Sequence, residues 1–223
     1  MQSSNEKNRV WDPLVRIGHW TLVAAFFTAY FTAEEIEDIH VWAGYWVGSY
    51  VVVRILWGFV GTKYARFTNF VRGPRAVLGY LSSFFAKPHR RYLGHNPAGG
   101  AMIVALLLSL AATAFTGLLV EAAAENEGPL VVWFGGPGAT VTSHDTRGEN
   151  GAERNEAANN PKADAYKEVH EVFANLSFGL VLLHILGVFA GVFIHHENLV
   201  GAMITGDKPA LGREASAGEE SRG

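Results

Sequence analysis

Nine histidines and no cysteine set the chemistry open to this chain of 223 residues. Without thiols there are no disulfides, iron–sulfur clusters, thiolate zinc sites or haem attached through C-x-x-C-H. Any metal centre must use imidazole or oxygen. Four of the histidines, His19, His40, His170 and His184, lie within or at the ends of long apolar stretches. An ionisable side chain at such a depth in a membrane is costly and marks function. His170 and His184 are fourteen residues apart. On one α-helix that is roughly 21 Å of rise and about 40° short of four whole turns, so both imidazoles leave one helix face at two depths.

The other two histidines are expected at the same two depths. His40 opens the second apolar stretch at its outer edge, level with His170. His19 lies fourteen residues before Ala33, the outer end of the first stretch, and so is level with His184. Measured from the opposite ends the match is less even, with His19 five residues from Leu14 and His184 ten from Ile194, unless the fourth helix runs on past His196. The expected pairs are His19 with His184 and His40 with His170. A haem iron takes two axial ligands from opposite sides, and neutral imidazoles on facing helices supply them. Two cross-helix pairs at two depths are what two stacked b-type haems need.

Two arginines and a set of glycines complete this reading. Arg54 is fourteen residues beyond His40, on the same helix face and at the depth of the inner pair, where it would meet haem propionates. Arg16, three residues before His19, would do the same or would snorkel to the inner interface. Gly44 and Gly48 follow His40 by four and eight residues and would leave room for a porphyrin, as would Gly99, Gly100 and Gly117 beside the third helix. His95, His195 and His196, at the inner surface, would serve proton uptake near a quinone or simply face water.

The elements that must hold these residues are four apolar segments, at 14–33, 41–60, 101–120 and 172–194. Each is long enough to cross a hydrocarbon core, which takes about 20 helical residues. Composition agrees, with 49% hydrophobic and only 17% charged residues. The first segment has the length of a secretory signal but carries Arg16 and His19 and ends in FTA rather than A-x-A. The expected fold is an all-α integral membrane protein, a four-helix transmembrane bundle enclosing two haems. Residues 1–206 would form one domain and 207–223 a flexible cytoplasmic tail.

Loop charge orients the bundle, because cytoplasmic loops carry the excess of Lys and Arg. Residues 61–97 hold seven basic residues and no acid, whereas EEIEDI at 34–39 holds four acids and no base. The loop at 121–167 has eight acids and four bases. This puts the basic loop and both termini in the cytoplasm of a bacterial inner membrane, with Trp11 and Trp57 at the inner interface and Trp42 at the outer one. In the basic loop, Pro74 opens a stretch with Val77, Leu78, Leu81, Phe84 and Phe85 on one face, an amphipathic helix on the inner membrane surface. The outer loop divides into the apolar PLVVWFGGPG and a polar run from His144 to Lys167, expected to be flexible. A net charge of −3 excludes a general nucleic-acid binder.

Three stretches resemble the bacterial di-haem cytochrome b family: WDPLVRIGHW at the first helix, HVWAGYWVG at the second and HEVFANLSFGLVLLH, with its His-x13-His, at the fourth. That family includes the b-561 cytochromes and the cytochrome b subunits of nickel–iron hydrogenases. The resemblance spans residues 10 to about 206. It implies a four-helix bundle with two non-covalent haems b, one held by His19 and His184 and the other by His40 and His170. The expected function is electron transfer across the inner membrane between the quinone pool and a redox partner. That partner would be a periplasmic cytochrome or oxidoreductase subunit at the acidic outer loop. An alternative within the same chemistry is a stand-alone quinone reductase that oxidises superoxide or another small reductant at the outer haem. A remote one is a histidine-lined metal transporter, against which stand the lack of membrane-embedded carboxylates and of inverted repeats.

Overall fold

The computed structural model describes residues 7–82, 94–135, 161–195 and 198–209. Its elements in chain order are β1 (Lys7–Arg9), α1 (Pro13–Thr32), α2 (Glu37–Val60), α3 (Phe67–Phe70), α4 (Pro74–Ser82) and α5 (Pro97–Val120). A π-helical turn (Glu121–Glu125), α6 (Val131–Phe134), α7 (Pro161–His195), α8 (Leu199–Thr205) and β2 (Asp207–Pro209) follow. Four of the helices, α1, α2, α5 with its π turn, and α7, are long and apolar enough to cross a membrane. Their outward residues, among them Phe31, Leu56, Phe59, Leu108, Phe115, Leu186 and Phe193, are large, apolar and exposed. Such a surface is unfavourable in water and suited to lipid.

The helix ends follow from local chemistry. Asp12 caps α1, its Oδ1 accepting from the Val15 N–H at 3.0 Å, and Pro13 fills the first helical position, where no N–H is missed. Asn96 and Pro97 repeat the device at α5, with the Gly99 N–H donating to Asn96 Oδ1 at 2.7 Å. Asn198 caps α8 in the same way through the Gly201 N–H at 2.7 Å. Glu37 and Asp38 stand in the first turn of α2, where acids complement the helix dipole. Past α5 the chain widens into the π turn and stops at Asn126 in the left-handed region, φ 53°.

The chain forms two compact units, and each long helix contributes a segment to both. The first comprises residues 1–24, 50–107 and 180–223. At its centre Val10, Trp11 and Ala202 are buried, with Tyr64 and Met203 packed on them. Here β1 and β2 pair antiparallel, Arg9 opposite Asp207, and the Val10 and Trp11 N–H groups both donate to the Gly206 carbonyl at 2.8 and 3.1 Å. The second unit comprises 25–49 and 108–179. Phe26, Val47, Leu110, Leu119, Ala122, Val131 and Ala163 are buried in it.

Three expectations are adjusted and a fourth, the helix in the basic loop, is met. The last helix begins at Pro161, eleven residues ahead of the apolar segment, so the end of the polar run is helical. Pro161 suits a first turn, Ala163 is buried, and the charged side chains stand on the exposed side. The start of the segment read as a flexible tail is strand β2, tied to β1 by backbone hydrogen bonds. Trp11 is buried against His95, at a ring separation of 4.5 Å, and is not an interfacial belt residue. The amphipathic helix exists as α4 with no buried residue and with Leu78 and Leu81 exposed. Phe84, Phe85, His89, His144, His196 and most of the acidic loop lie outside the described residues.

Candidate haem-ligand pairs

The two expected histidine pairs form, one in each unit. In the first unit His19 of α1 and His184 of α7 face each other with ring centres 6.4 Å apart and planes at 63°. In the second, His40 of α2 and His170 of α7 are 6.1 Å apart at 88°. These separations suit an iron between two imidazoles. A ligating nitrogen lies about 2 Å from its metal, and in a five-membered ring with bonds of about 1.3 Å that nitrogen is roughly 1.1 Å from the centre. Twice the sum is about 6.2 Å. Among the described residues no three or more His, Asp or Glu side chains converge as a metal site; the donors come as pairs, as axial ligation requires.

Tautomers support the same use. His40 Nδ1 lies 2.8 Å from the Ala29 carbonyl. His170 Nδ1 lies 3.0 Å from the Thr113 carbonyl and 3.2 Å from Thr116 Oγ1. A carbonyl only accepts, so each Nδ1 carries the proton and each Nε2 keeps a free lone pair for a metal. In the other pair, His19 Nδ1 is buried and has no hydrogen-bond partner.

The residues around the His40–His170 pair come mainly from α5. Thr116 donates its hydroxyl to the Ala112 or Thr113 carbonyl, at 2.8 and 3.0 Å, leaving its lone pairs for His170. Gly117 follows, and a Cβ there would sit 3.1 Å from His170 Cε1, so the missing side chain lets the ring approach the helix. Behind Thr113 runs a buried hydroxyl chain: Thr113 Oγ1 to Ser177 Oγ at 3.0 Å, and Ser177 Oγ to Ser109 Oγ at 2.7 Å. Further along, the Tyr45 hydroxyl donates to the Glu121 carboxylate, 2.7 and 2.6 Å from its two oxygens. Gly44 has nothing within 4 Å of a Cβ position, open space one turn from His40, whereas Gly48 meets Ala114 at 3.2 Å and lets α2 and α5 approach.

The unit that holds the His19–His184 pair also carries Tyr50, two arginines and Asp12. Gly18 lies under the Tyr50 ring, which fills the place a Cβ would take beside His19. One turn past Tyr50 on α2, Arg54 is 6% exposed. Its Nη2 donates to the Ala65 carbonyl at 3.3 Å, its guanidinium lies 5.6 Å from the Phe67 ring centre, and its Nη1 is buried without a partner. Arg16 donates through Nη2 to the Ile204 carbonyl, and its buried Nε has no partner. Asp12 gathers donors from Val15 N, Trp57 Nε1 at 3.1 Å and Thr62 Oγ1 at 2.6 Å. Burial opposes its ionisation, but these hydrogen bonds outweigh that and hold the carboxyl below its ordinary value.

Sequence spacing misses Thr113, Thr116, Tyr50 and the Tyr45–Glu121 pair. A polar residue within an apolar span was the signal available for the threonines. Gly99 and Gly100 serve other ends: Gly99 closes the Asn96 cap, and Gly100 lies against the Phe70 carbonyl, 2.6 Å from a Cβ position.

Four membrane-spanning helices, three of them carrying the paired histidines, with Nε2 lone pairs free at His40 and His170, define a class: membrane b-type cytochromes. The chain matches the family model described as prokaryotic cytochrome b561 over residues 10–206. It belongs to that family, and is therefore a multi-pass membrane cytochrome that binds b-type haem and takes part in electron transfer. No curated protein and no solved structure matches it.

Proposed function

We propose that this protein carries electrons across a bacterial inner membrane through two haems b, linking the quinone pool to a redox partner outside. The observation that carries the reading is the pair of imidazole separations, 6.4 and 6.1 Å, each the span of one doubly ligated iron. His19 and His184 hold one haem, His40 and His170 the other. Haem b would supply one-electron chemistry when bound, with His19, His184, His40 and His170 as the side chains that would hold it. Arg54, with a buried unpartnered nitrogen, and Arg16 are suited to propionates, since a cation held at such depth needs an anion. Gly44 keeps space open beside His40, and Gly48 keeps α2 close to α5 at the same site. The basic loop and both termini are cytoplasmic, and the acidic loop on the other side docks a basic periplasmic cytochrome or oxidoreductase subunit.

A dithionite-reduced minus oxidised spectrum of the purified protein, with haem counted per polypeptide, tests this reading. Two haems with low-spin bands are expected. His40→Ala and His19→Ala should each lower the count by one and leave the band of the other site. A wild-type protein with one haem overturns the two-site assignment, and none after expression with ample haem overturns the electron-transfer reading.

A further inference from the structure

We propose that a groove between α1 and α8 binds an anionic phospholipid, with its phosphate at Arg16 and its acyl chains along Ile17, Trp20 and Ile204. This site goes beyond the electron-transfer reading and does not depend on the number of haems.

The groove is a cavity of about 390 Å³, lined by Arg16, Ile17 and Trp20 of α1 and by Met203 and Ile204 of α8, all within the first unit. Of these five residues Arg16 alone is charged. Ile17, Trp20 and Ile204 are exposed, so the groove is open along its apolar side. On α1, at about 100° per residue, Ile17 and Trp20 stand roughly 160° and 100° from His19. The groove therefore occupies a different helix face from the haem-ligand candidate. On a membrane-spanning helix such an apolar trough meets acyl chains.

The polar end gives the ligand its charge. Arg16 donates through Nη2 to the Ile204 carbonyl at the end of α8, and a Cβ on Gly206 would lie 3.1 Å from Arg16 Nη1. Gly206, with φ 90°, closes α8 in the left-handed region and lets the guanidinium lie against the helix end. The cation is thus fixed by backbone, and its Nε is buried without a partner. A cation held in apolar surroundings is stabilised by an anion. Strand β2 begins directly after Gly206 and pairs with β1, which gathers Lys7, Arg9 and Lys208 with one acid, Asp207, next to α8. Basic residues at an opening between membrane helices favour anionic headgroups by about fivefold each. A soluble anion would match the charge and leave the apolar walls uncovered. A zwitterionic lipid would match the walls and bring its own cation to a cationic site. An anionic phospholipid matches both. The same guanidinium is suited to a propionate, and the haem count in the test tells the two anions apart.

The test is native mass spectrometry of the full-length holoprotein in detergent, titrated with phosphatidylglycerol and, separately, with phosphatidylcholine of the same chains. One phosphatidylglycerol is expected to bind about fivefold or more tightly than phosphatidylcholine. Arg16→Gln should remove that preference and Arg16→Lys should keep most of it. Ile17→Trp, which fills the groove and leaves the arginine in place, should displace the lipid with the haem count, read in the same spectrum, at the wild-type value. Equal binding of the two lipids overturns the proposal, as does binding that neither Arg16→Gln nor Ile17→Trp alters. Displacement of the lipid by inorganic phosphate would make this a site for a soluble anion, and displacement by a short-chain quinone at equal concentration a quinone site; either overturns the proposal. So does an Arg16→Gln protein that loses haem and still holds the lipid, since the arginine then serves a propionate.

Discussion

Hydrogen cannot be replaced by methyl at Gly117 without consequence, because a Cβ there would lie 3.1 Å from the His170 ring. The Thr113 carbonyl holds the ring at that same Nδ1–Cε1 edge, so the ring cannot swing away without losing this hydrogen bond. Overpacking of this kind costs about 1–3 kcal/mol. Gly117→Ala should therefore lower haem retention at the His40–His170 site and leave the other site loaded, as measured by the haem count and the reduced-minus-oxidised spectrum. Equal loss from both sites would show a general folding defect in place of a displaced ligand. The same reasoning separates glycines that sequence treats alike. Gly117 touches the His170 ring, Gly100 a backbone carbonyl, and Gly48 a neighbouring helix.

At the scale of elements, Asp12 ties three of them together. It caps α1, accepts from Trp57 near the end of α2, and accepts from Thr62 in the loop that follows. Its carboxyl is held below its ordinary value of 3.8 by these donors. A group with a depressed folded value contributes its stability above the unfolded value and loses it as pH falls through the folded one. Thermal stability of the wild-type protein should thus include a contribution that disappears on acidification below about pH 4. Asp12→Asn should remove that contribution at neutral pH and flatten the profile there. Asp12→Ala should cost about 1 kcal/mol, as lost N-caps do. An unchanged acid profile in Asp12→Asn would show that the hydrogen bonds do not depend on the charge.

For the whole molecule, the testable matter is the partner. The acids of the loop at 121–167 would steer a basic partner through complementary charge, an effect on association rate that salt screens. Reversing Glu149, Glu153 and Glu156 to Lys should slow reduction of a basic c-type cytochrome by about tenfold or more at low ionic strength. The salt dependence should weaken with it. Rates and salt slopes equal to wild type would remove the docking role from this loop. These residues lie outside the described structure, so this prediction stands on charge alone.

The four spans and the meeting of His19 with His184 and of His40 with His170 were legible in the sequence because each depends on local regularity. Hydropathy over about 20 residues reports a span, and the constant helical rise converts a fourteen-residue spacing into depth and facing. The sequence by itself therefore determined the class of fold, and which histidines could meet. Only the tertiary structure decided what surrounds them. A backbone carbonyl is present at every position, so no spacing marks those of Ala29 and Thr113 as the acceptors of His40 and His170. Nor does any local signal pair Lys7–Arg9 with Asp207–Pro209, since two three-residue strands separated by nearly the whole chain have no pattern of their own. The extension of α7 to Pro161 was hidden for a related reason: hydropathy detects lipid, and a helix that continues in polar residues beyond it leaves no apolar trace.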